Sequence, residues 1–501
     1  MTKVLFIYPP ITCYGSGLVV KSHAPMGLLY LATYIRDLGY EVNLLDALAE
    51  GLNNTVHQNN TTQVGLNWPQ IKKYIKKCNP DVIGISVMFT AYYDDALLLA
   101  KQIKTFSPKI KIIFGGSHVS INPADCLSHK FVDFAIYGEG EITFKKLLEA
   151  ISLGKNFEKI NGLVYRDKNK IKINPPADLV KNLDDLPFPD WDLLNLKKYN
   201  LGDISQMRKP CFIVETSRGC PNHCVYCSSF AVWQHHWRGR SAKNVVDEIQ
   251  QLINKYGAKE ISFYDDSMSA DKKRMINICK EIIKRKLDIK WSTPNGIAHW
   301  TLDKPLLKLM KKAGCYRITF GIESGDPLMR RWIGKPYSLE QARDLTQYAN
   351  KLGFWTLATN IIGFPYETRD QINQTLDFSL NSDVDIAFFF RLGLRPGAPV
   401  YEIFKKEGLL PKDKKILFSE NLSCNTKNFT GNELVEIQQQ MYRLFFKKRW
   451  GNIFKTIKRL KMKIKNPEDF FYVLKQIKYI NNFEKGWVSQ KSGILLKSNR
   501  V

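Results

Sequence analysis

The sequence lacks the long apolar runs and the cysteine pattern of membrane or secreted proteins. No apolar run approaches the roughly 18 residues that cross a bilayer. The N-terminal run Val4–Tyr8 is too short for the apolar region of a signal peptide. Of the ten cysteines only three, near position 220, lie close together, so we expect no disulfide framework. These absences predict a cytoplasmic protein whose core closes without covalent cross-links.

Acidic residues are also scarce, and the formal net charge is +26. About half of this excess lies between Arg443 and Val501, where 16 Lys and Arg stand against 3 Asp and Glu. The remaining basic residues are spread along the chain, whereas nucleic-acid binding needs them clustered against phosphates. We therefore expect no specific nucleic-acid partner. A polyanionic substrate or contact with an anionic membrane surface fits the charge better.

Residues 1–155 alternate short apolar strands with helical patterns, which predicts an open parallel sheet of the Rossmann-like type with a ligand crevice beyond its carboxyl ends. We expect its strands at Val4–Pro9, Glu41–Asp46, Asp81–Val87, Lys111–Gly115 and Phe134–Tyr137. Glycine-rich turns follow the last two strands, and glycine allows a backbone to approach a ligand closely. Cofactor contacts are expected from Gly115, Gly116, His118, Gly138, Glu139 and Gly140. The alternative is that these glycines serve only tight turns between strand and helix.

A proline-rich linker over 156–210 separates this domain from a second series of strands and helices over 211–400. Its strands are expected at Phe212–Thr216, Glu260–Tyr264, Lys290–Thr293, Arg317–Gly321, Thr356–Ile362 and Asp385–Arg391. Six strands are too few for a closed eight-stranded barrel, so we predict a partial (β/α)6 barrel with its site at the carboxyl ends of the strands.

The basic region 401–501 is predicted to be mainly helical. A capping box at Thr430–Glu433 marks the start of one helix. A second amphipathic run contains Trp450, Phe454 and Ile457. We expect packing against the barrel, and a substrate-lid or membrane-surface role stays open.

The segment Cys220-Pro-Asn-His-Cys224-Val-Tyr-Cys227 places three thiols and an imidazole within eight residues. Such a loop binds zinc if His223 supplies a fourth ligand, or three irons of a 4Fe-4S cluster with the fourth iron open. Structural zinc sites usually draw a second ligand pair from another loop, and the chain has no such pair with suitable spacing. An open iron can coordinate a substrate and pass it an electron. The loop by itself leaves both possibilities open.

The position of this loop, directly after the first strand of the second series, resembles that of the radical S-adenosylmethionine (SAM) enzymes. Their signature is C-x3-C-x-aromatic-C, and Tyr226 stands at the aromatic place. Three later strand ends also resemble the family: the acidic segment near the methionyl end of SAM, the ribose and carboxylate segment, and the adenine segment. The resemblance implies that Cys220, Cys224 and Cys227 hold the cluster and that Asp265, Asp266, Glu323, Ser324, Asn360 and Gly363 contact SAM.

The first domain, with Met26–Ala32 and the two glycine turns, resembles the cobalamin-binding domain of class B radical SAM proteins. Some cobalamin domains supply a histidine to cobalt through D-x-H-x-x-G. Here the corresponding place runs from Asp46 to Gly51 and has Leu48 where the histidine would be. The resemblance therefore implies a cobalamin whose lower face lacks a protein imidazole.

Together these resemblances imply an enzyme that cleaves SAM reductively at a 4Fe-4S cluster and methylates an unactivated carbon of a small-molecule or lipid-like substrate. A low-potential electron donor such as flavodoxin or ferredoxin would be its partner. A rival with the same domain order is an oxidative cyclase or another radical enzyme that transfers no methyl group. From another class, a metal-cluster protein that binds nucleic acid through its basic tail is the competitor.

Overall fold

The computed structural model describes residues 2–14, 22–58, 61–199, 205–335, 337–412 and 423–477. Its strands are β1 (Lys3–Tyr8), β2 (Ile11–Tyr14), β3 (Glu41–Asp46), β4 (Thr55–Gln58), β5 (Thr61–Val64), β6 (Val82–Ser86), β7 (Lys111–Gly115), β8 (Phe134–Ile136), β9 (Leu163–Asp167), β10 (Lys170–Ile173), β11 (Cys211–Val214), β12 (Ser217–Arg218), β13 (Arg238–Gly239), β14 (Glu260–Phe263), β15 (Lys290–Ile297), β16 (Cys315–Glu323), β17 (Trp355–Ile362) and β18 (Ile386–Arg391).

The helices are α1 (Met26–Asp37), α2 (Ala47–Glu50), α3 (Trp68–Cys78), α4 (Tyr93–Phe106), α5 (Ser117–Ile121), α6 (Pro123–Cys126), α7 (Gly140–Leu153), α8 (Phe230–Trp233), α9 (Ala242–Tyr256), α10 (Lys272–Lys284), α11 (Lys304–Lys312), α12 (Pro327–Trp332), α13 (Leu339–Lys351), α14 (Arg369–Asn381), α15 (Pro399–Lys406), α16 (Gly431–Trp450) and α17 (Ile453–Lys463). A further helical segment covers 467–477. No helix among these described residues is both long and apolar enough to cross a membrane. Of the predicted C-terminal region, 413–422 and 478–501 lie outside the described residues.

The chain divides into two compact units, and each unit is assembled from three separate stretches of sequence. The first unit contains Met1–Asn200, Ser217–Arg240 and Gly393–Leu422. The second unit contains Leu201–Thr216, Ser241–Leu392 and Ser423–Val501. The cysteine segment thus belongs to the first unit, although the strand before it, β11, belongs to the second.

The first unit is built on a seven-stranded sheet in the order β10-β9-β8-β7-β6-β1-β3. The five predicted strands form its parallel part, which confirms the predicted open parallel sheet. β9 and β10 pair antiparallel and extend the sheet from residues that we had assigned to the linker. A separate antiparallel sheet in the order β2-β5-β4 was also missed.

The central strands of this sheet are apolar on both faces, as parallel strands covered by helices require. Ile83 and Ile85 of β6 are buried, and Phe114 of β7 joins the same core. Gly84 lies between the two isoleucines, and a Cβ there would stand 2.7 Å from the ring of Phe6. A larger residue at Gly84 would therefore displace the neighbouring strand.

The second unit is built on a six-stranded sheet in the order β11-β14-β15-β16-β17-β18. All its pairings are parallel, and the strands follow one another in chain order. β11 and β18 occupy opposite edges, so the sheet is open, as predicted for a partial barrel. Helices lie between successive strands and cover the outer face.

The C-terminal helices pack on this second unit. α16 begins at the Thr430 capping box, as predicted, and buries Leu434, Ile437, Met441 and Phe445. The fully buried Lys463 donates to Asp385 at 2.6 Å. α16 is therefore a packing helix. In the second amphipathic run, by contrast, Phe454 is 81% exposed.

Candidate cofactor site

The three clustered cysteines lie on a loop that an antiparallel ribbon closes at its base. β12 and β13 form this ribbon, with Ser217 opposite Gly239 and Arg218 opposite Arg238. Gly219 begins the loop with φ +84°, and a Cβ there would stand 2.1 Å from the carbonyl oxygen of His236. Only glycine fits where the two ends of the loop come this close. We call residues 219–237 the cysteine loop.

The thiols of this loop are disulfide-free and half-buried. Asn222 Nδ2 donates to Cys220 Sγ at 3.2 Å, and the backbone N–H of Ser229 donates to Cys227 Sγ at 3.5 Å. The thiolate is the form of cysteine that ligates iron or zinc. Three such thiols within one loop fit the ligand set of a cluster. Tyr226 beside them is half-buried.

The geometry of the cysteine loop does not favour a zinc site. The ring of His223 lies on that of His235, with centroids 3.9 Å apart. Among the described residues, no three His, Cys, Asp or Glu side chains are placed to hold one metal ion. A cluster binds each thiolate through a different iron, so its ligands need not converge on one point. Burial and the neighbouring His223 lower the pKa of His235.

The turn between β8 and α7 is tied to the ribbon by buried ion pairs. Glu139 Oε1 accepts from Arg218, and its Oε2 accepts from Arg238 Nη1 at 2.9 Å and from the N–H of Val180 at 2.7 Å. Glu141 Oε1 accepts from Arg218 Nη2 at 2.7 Å. The expected contact of Glu139 with a cofactor stays a prediction. Its observed partners are two arginines that sequence reasoning missed.

The other predicted cofactor contacts of the first unit lie in the loops after β7 and β8. Gly116 has φ +117°, and a Cβ there would stand 2.7 Å from Val87 O; Gly138 has φ +80°. Close turns therefore explain both glycines. A Cβ on Gly115 would meet nothing nearer than 3.9 Å, and one on Gly140 nothing nearer than 3.6 Å. Tight packing therefore does not explain these two glycines, and both are half-exposed.

His118 is buried at the start of α5. Its Nδ1 lies 3.0 Å from Thr90 Oγ1, and its ring packs 4.3 Å from that of Tyr93. Burial lowers its pKa, so the imidazole is neutral at neutral pH. Within the described part of the chain its Nε2 has no hydrogen-bond partner.

At the place of the D-x-H-x-x-G motif, Leu48 packs into a small apolar cluster with Ile11 and Val64. Asp46 caps α2 through the N–H of Ala49 and accepts from Tyr199 OH at 2.7 Å. Burial raises the pKa of Asp46 to about 6. Position 48 therefore offers no imidazole to a cobalt ion, as the sequence indicates.

In the second unit, Asp265 follows β14 and is buried. Its Oδ1 accepts from the backbone N–H of Thr216 at 3.0 Å and from the Thr216 hydroxyl at 2.7 Å. This carboxylate therefore holds the residue that precedes the ribbon. Asp266 beside it is exposed. SAM contacts from both aspartates stay predictions.

Glu323 ends β16 in a left-handed conformation, with φ +67°, at a register shift against β17. Its Oε1 lies 3.4 Å from Lys335 Nζ, and both side chains are about nine-tenths buried. A non-glycine residue held in this region is strained, and such strain is concentrated at ligand sites. Ser324 is fully buried and lies 3.3 Å from Thr375 Oγ1. It supports the turn from behind, so its ligand contact stays a prediction.

Asn360 lies beside Phe389 in the sheet register, and Phe389 packs on Tyr442 and Phe445 of α16. Asn360 is therefore on the helix-covered face, and its Nδ2 donates to Phe388 O at 3.1 Å. Among the described residues its Oδ1 has no partner. Its adenine contact stays a prediction.

Gly363 has φ +89°, and its N–H donates to Glu367 Oε2 at 2.7 Å. Phe364 donates to the same oxygen at 3.3 Å. Burial raises the pKa of Glu367 to about 8. The sequence analysis did not identify Glu367. The sequence feature that could have indicated it is an acidic residue four positions after Gly363, in the turn that ends β17.

The carboxyl-terminal halves of the strands leave one face of the sheet partly open. The half-exposed positions on β16, β17 and β18 are Gly321, Leu357, Thr359, Ile361 and Phe388, and Phe390 is 48% exposed. Their neighbours on the opposite face are buried, except Arg391, which is half-buried and donates to Gln438 of α16 at 2.8 Å. A ligand surface of apolar, aromatic and hydroxyl groups therefore follows the strand ends, where parallel α/β folds bind ligands.

Residues 17–148 match the B12 binding domain family, and residues 214–379 match the radical SAM superfamily. The chain is 34% identical to an uncharacterised methyltransferase of Pyrococcus horikoshii, over 89% of this chain and 92% of that protein. It is 29% identical to cytidylyl-2-hydroxyethylphosphonate methyltransferase of Streptomyces wedmorensis, over 89% and 90% of the two chains. It is 28% identical to the anaerobic magnesium-protoporphyrin IX monomethyl ester cyclase of Rubrivivax gelatinosus, over 77% and 67%.

Two solved structures share the fold. The cobalamin-dependent SAM radical enzyme OxsB, with aqua-cobalamin bound, is 19% identical with a TM-score of 0.69, over 96% of this chain and 71% of that one. The radical SAM methyltransferase TsrM of Kitasatospora setae, with tryptophan and a SAM analogue bound, is 20% identical with a TM-score of 0.66, over 82% and 78%. The order of the two domains, the cysteine loop and the full-length relatives agree: the chain belongs to the class B radical SAM enzymes, the radical SAM family members that carry a B12-binding domain.

Proposed function

We propose that this protein is a cobalamin-dependent radical SAM methyltransferase that acts on an unactivated carbon. The observation that carries the proposal is the location of the cysteine loop. Its three disulfide-free thiols belong to the same compact unit as the B12-type sheet. A corrinoid and a cluster held by one unit suit a reaction in which both serve the same substrate. Methyltransferases among the full-length relatives support the same reading.

Cys220, Cys224 and Cys227 would hold three irons of a 4Fe-4S cluster. When bound, the cluster, SAM and cobalamin supply reductive cleavage of SAM, hydrogen abstraction and methyl transfer. The half-buried loop would limit the access of water to the cluster, and this protects a reactive centre from side reactions. Asn222 and Ser229 donate hydrogen bonds to the sulfurs of Cys220 and Cys227.

For SAM we propose a site along the carboxyl ends of β14, β16 and β17. Glu323 is the best-placed acid there, because strain and burial fix its carboxylate and Lys335 balances its charge. The ammonium and ribose hydroxyls of SAM need such an acceptor. Asp265 and Glu367 would keep the adjoining turns in place through the backbone hydrogen bonds that they accept.

For cobalamin we propose the loops after β6, β7 and β8, where Gly115 and Gly140 are half-exposed. Leu48 leaves the cobalt without an imidazole from that position. A low-potential donor such as flavodoxin or ferredoxin would deliver the electrons.

The substrate is proposed to be a small or lipid-like molecule. Phe388 and Phe390 stack with centroids 5.8 Å apart on the open face of β18. Stacked aromatic rings on an open strand face suit a substrate with an apolar body. Contact of α17 with a membrane surface stays a prediction, and the exposed Phe454 and Ile457 would serve it.

Oxidative cyclisation is the second candidate, and the similarity to the Rubrivivax cyclase favours it. The two reactions differ in their SAM products. Methylation that draws its methyl group from SAM yields S-adenosylhomocysteine together with 5′-deoxyadenosine, whereas cyclisation yields 5′-deoxyadenosine alone.

Anaerobic purification and cluster reconstitution, with analysis of iron, sulfide and cobalamin, test the proposal. The loaded protein is incubated with reductant, methyl-deuterated SAM and a metabolite extract. We expect both SAM products and a deuterated methyl group in one extract component. Formation of 5′-deoxyadenosine without S-adenosylhomocysteine would favour the cyclase alternative. A single bound zinc, with no iron after anoxic loading, would contradict both.

A further inference from the structure

The buried ion pairs at the start of α7 involve two acids and two bases that the proposed chemistry does not use. The side chains of Glu139 and Glu141 are 1% and 6% exposed, and those of Arg218 and Arg238 are 8% and 13% exposed. We call these four side chains the Glu–Arg network. Its two negative and two positive charges balance within one buried cluster.

The network holds both ends of the cysteine loop at one point. Arg218 lies two residues before Cys220, and Arg238 directly follows the loop. The two arginines face each other across the ribbon. Arg218 donates to Oε1 of the Glu139 carboxylate, and Arg238 donates to Oε2 at 2.9 Å and to Oε1 at 3.4 Å. The loop therefore cannot shift against the β8–α7 turn without separating both pairs.

Aromatic packing adds to this constraint. The guanidinium groups of Arg218 and Arg238 each lie 5.8 Å from the ring of Trp233, which is itself part of the cysteine loop. Arg218 also lies 5.3 Å from the ring of Tyr30 on α1. Planar guanidinium groups that are bonded at the edge and stacked on the face have little freedom to reorient.

Buried ion pairs contribute little net stability but select one geometry strongly, because loss of one partner leaves an uncompensated charge inside the protein. Loss of any one member leaves one net charge in the network, and loss of the Glu139 charge takes from Arg238 its anionic partner in the network. The chemistry of the network is thus that of a positioning device, and the expected cofactor contact of Glu139 stays a prediction beside it.

We propose that Glu139 is a positioning residue that sets where the three cysteine thiolates lie relative to the crevice at the carboxyl ends of β7 and β8. The part of this inference that concerns the cluster rests on the proposed function. The part that concerns the loop itself does not.

Glu139→Gln tests the proposal, because it keeps the shape of the side chain and removes its charge. Glu149→Gln is the matched control, since Glu149 is an exposed residue of the same helix. The first readout is hydrogen exchange of 219–237 in the full chain without iron. We expect at least about tenfold faster exchange in Glu139→Gln than in the control, and unchanged exchange in β16, because an unpaired buried charge favours local opening.

The second readout is the electron paramagnetic resonance spectrum of the reduced, reconstituted protein. We expect iron content equal to that of the control, because the cysteines are intact, together with shifted or broadened cluster signals. Removing Arg238 as well, in Glu139→Gln/Arg238→Gln, should restore part of the exchange protection, since it removes the cation left without a partner.

Exchange and spectra of Glu139→Gln that match the Glu149→Gln control would overturn the inference. If Glu139→Gln fails to fold, Glu141→Gln decides, since Arg218 then keeps its bond to Glu139; an intermediate effect supports the proposal and no effect overturns it. A wild-type protein that takes up no iron would defeat the proposed function, while the exchange experiment would still decide the role of Glu139.

Discussion

At the cysteine loop, the residues predicted to bind the cluster differ from the residues that hold the loop in place. The three thiols are half-buried, whereas Arg218 and Arg238 at the base of the loop are buried and paired. Ligands must be reachable for assembly of a metal centre, and their supports must be rigid for its geometry to persist. This division of roles gives the substitutions below different expected outcomes.

Replacing Cys224 with alanine should abolish formation of 5′-deoxyadenosine and leave cobalamin bound. A missing thiolate leaves one iron of the cluster without its ligand, while the predicted corrinoid loops after β6 to β8 are untouched. The nucleoside is measured by chromatography after anaerobic reduction. Cys78→Ala, a change at a half-buried cysteine on α3, is the control and should keep activity. Equal activity in both variants would remove the assigned role.

Glu367 should make stability depend on pH in a defined direction. Its pKa is raised from 4.5 to about 8 by burial, so the folded protein holds a proton that the unfolded chain releases above pH 4.5. Its contribution to stability is therefore complete below about pH 4.5 and falls as pH rises through 8. Relative to Glu367→Gln, the wild type should lose up to about 1 kcal/mol per pH unit between about pH 5 and 7.5.

Urea unfolding of both proteins at several pH values measures this difference. Effects of other titrating groups cancel in the comparison, since they are common to both proteins. Parallel pH profiles would show that Glu367 is ionised in the folded protein.

At the scale of elements, β18 and the C-terminal helices are joined by buried charges as well as by apolar contact. Lys463 and Asp385 are both fully buried, and Arg459 also reaches Asp385 at 3.2 Å. Arg449 bonds Asp383 at 2.9 Å. These ion pairs fix the helices to the second unit at a defined position.

Lys463→Ala should destabilise the second unit by about 3 kcal/mol, because it leaves the Asp385 carboxylate buried with only one cation. Lys461→Ala, at an exposed position of the same helix, should change stability by less than about 0.5 kcal/mol. Urea titration of the transition of this unit gives both values. Similar losses in the two variants would contradict the anchoring role.

The elements that were predictable from sequence are those with strong local patterns. β6 is a continuous apolar run, α16 has a capping box and an apolar stripe, and each is found close to its expected bounds. β9 and β10 were missed because 163–173 precedes a pair of prolines and its second strand is wholly exposed. β10 is stabilised by pairing with β9, which no local pattern records.

The candidate site also contains features that could be predicted from the sequence and features that could not. The cysteine motif identifies its chemistry because three ligands lie within eight residues. The partners of Glu139 lie 79 and 99 residues away in sequence, and nothing near Glu139 indicates them. Asn360 was expected to contact SAM from the resemblance of its segment to the adenine segment of the family. Strand alternation places it on the helix-covered face, which the motif does not indicate, and the contact stays a prediction.

At the scale of the whole molecule, the grouping of 217–240 with the N-terminal sheet has a measurable result. In native-state hydrogen exchange at rising urea concentration, peptides from 217–240 should lose protection together with α7. They should not follow β14 to β18, because contacts define cooperative units better than sequence adjacency does. Opening of 217–240 together with β16, at a urea concentration where α7 stays protected, would contradict this assignment.

The alternation of the chain between its two units also bears on synthesis at the ribosome. The first unit includes Gly393–Leu422, and the second includes residues after Ser423, so neither is complete until most of the polypeptide has emerged. We therefore expect both units to complete their folding late in translation, and not one domain after another as the chain emerges. The cysteine loop is synthesised well before the last residues of its unit, so its three thiols stay unprotected until that unit closes.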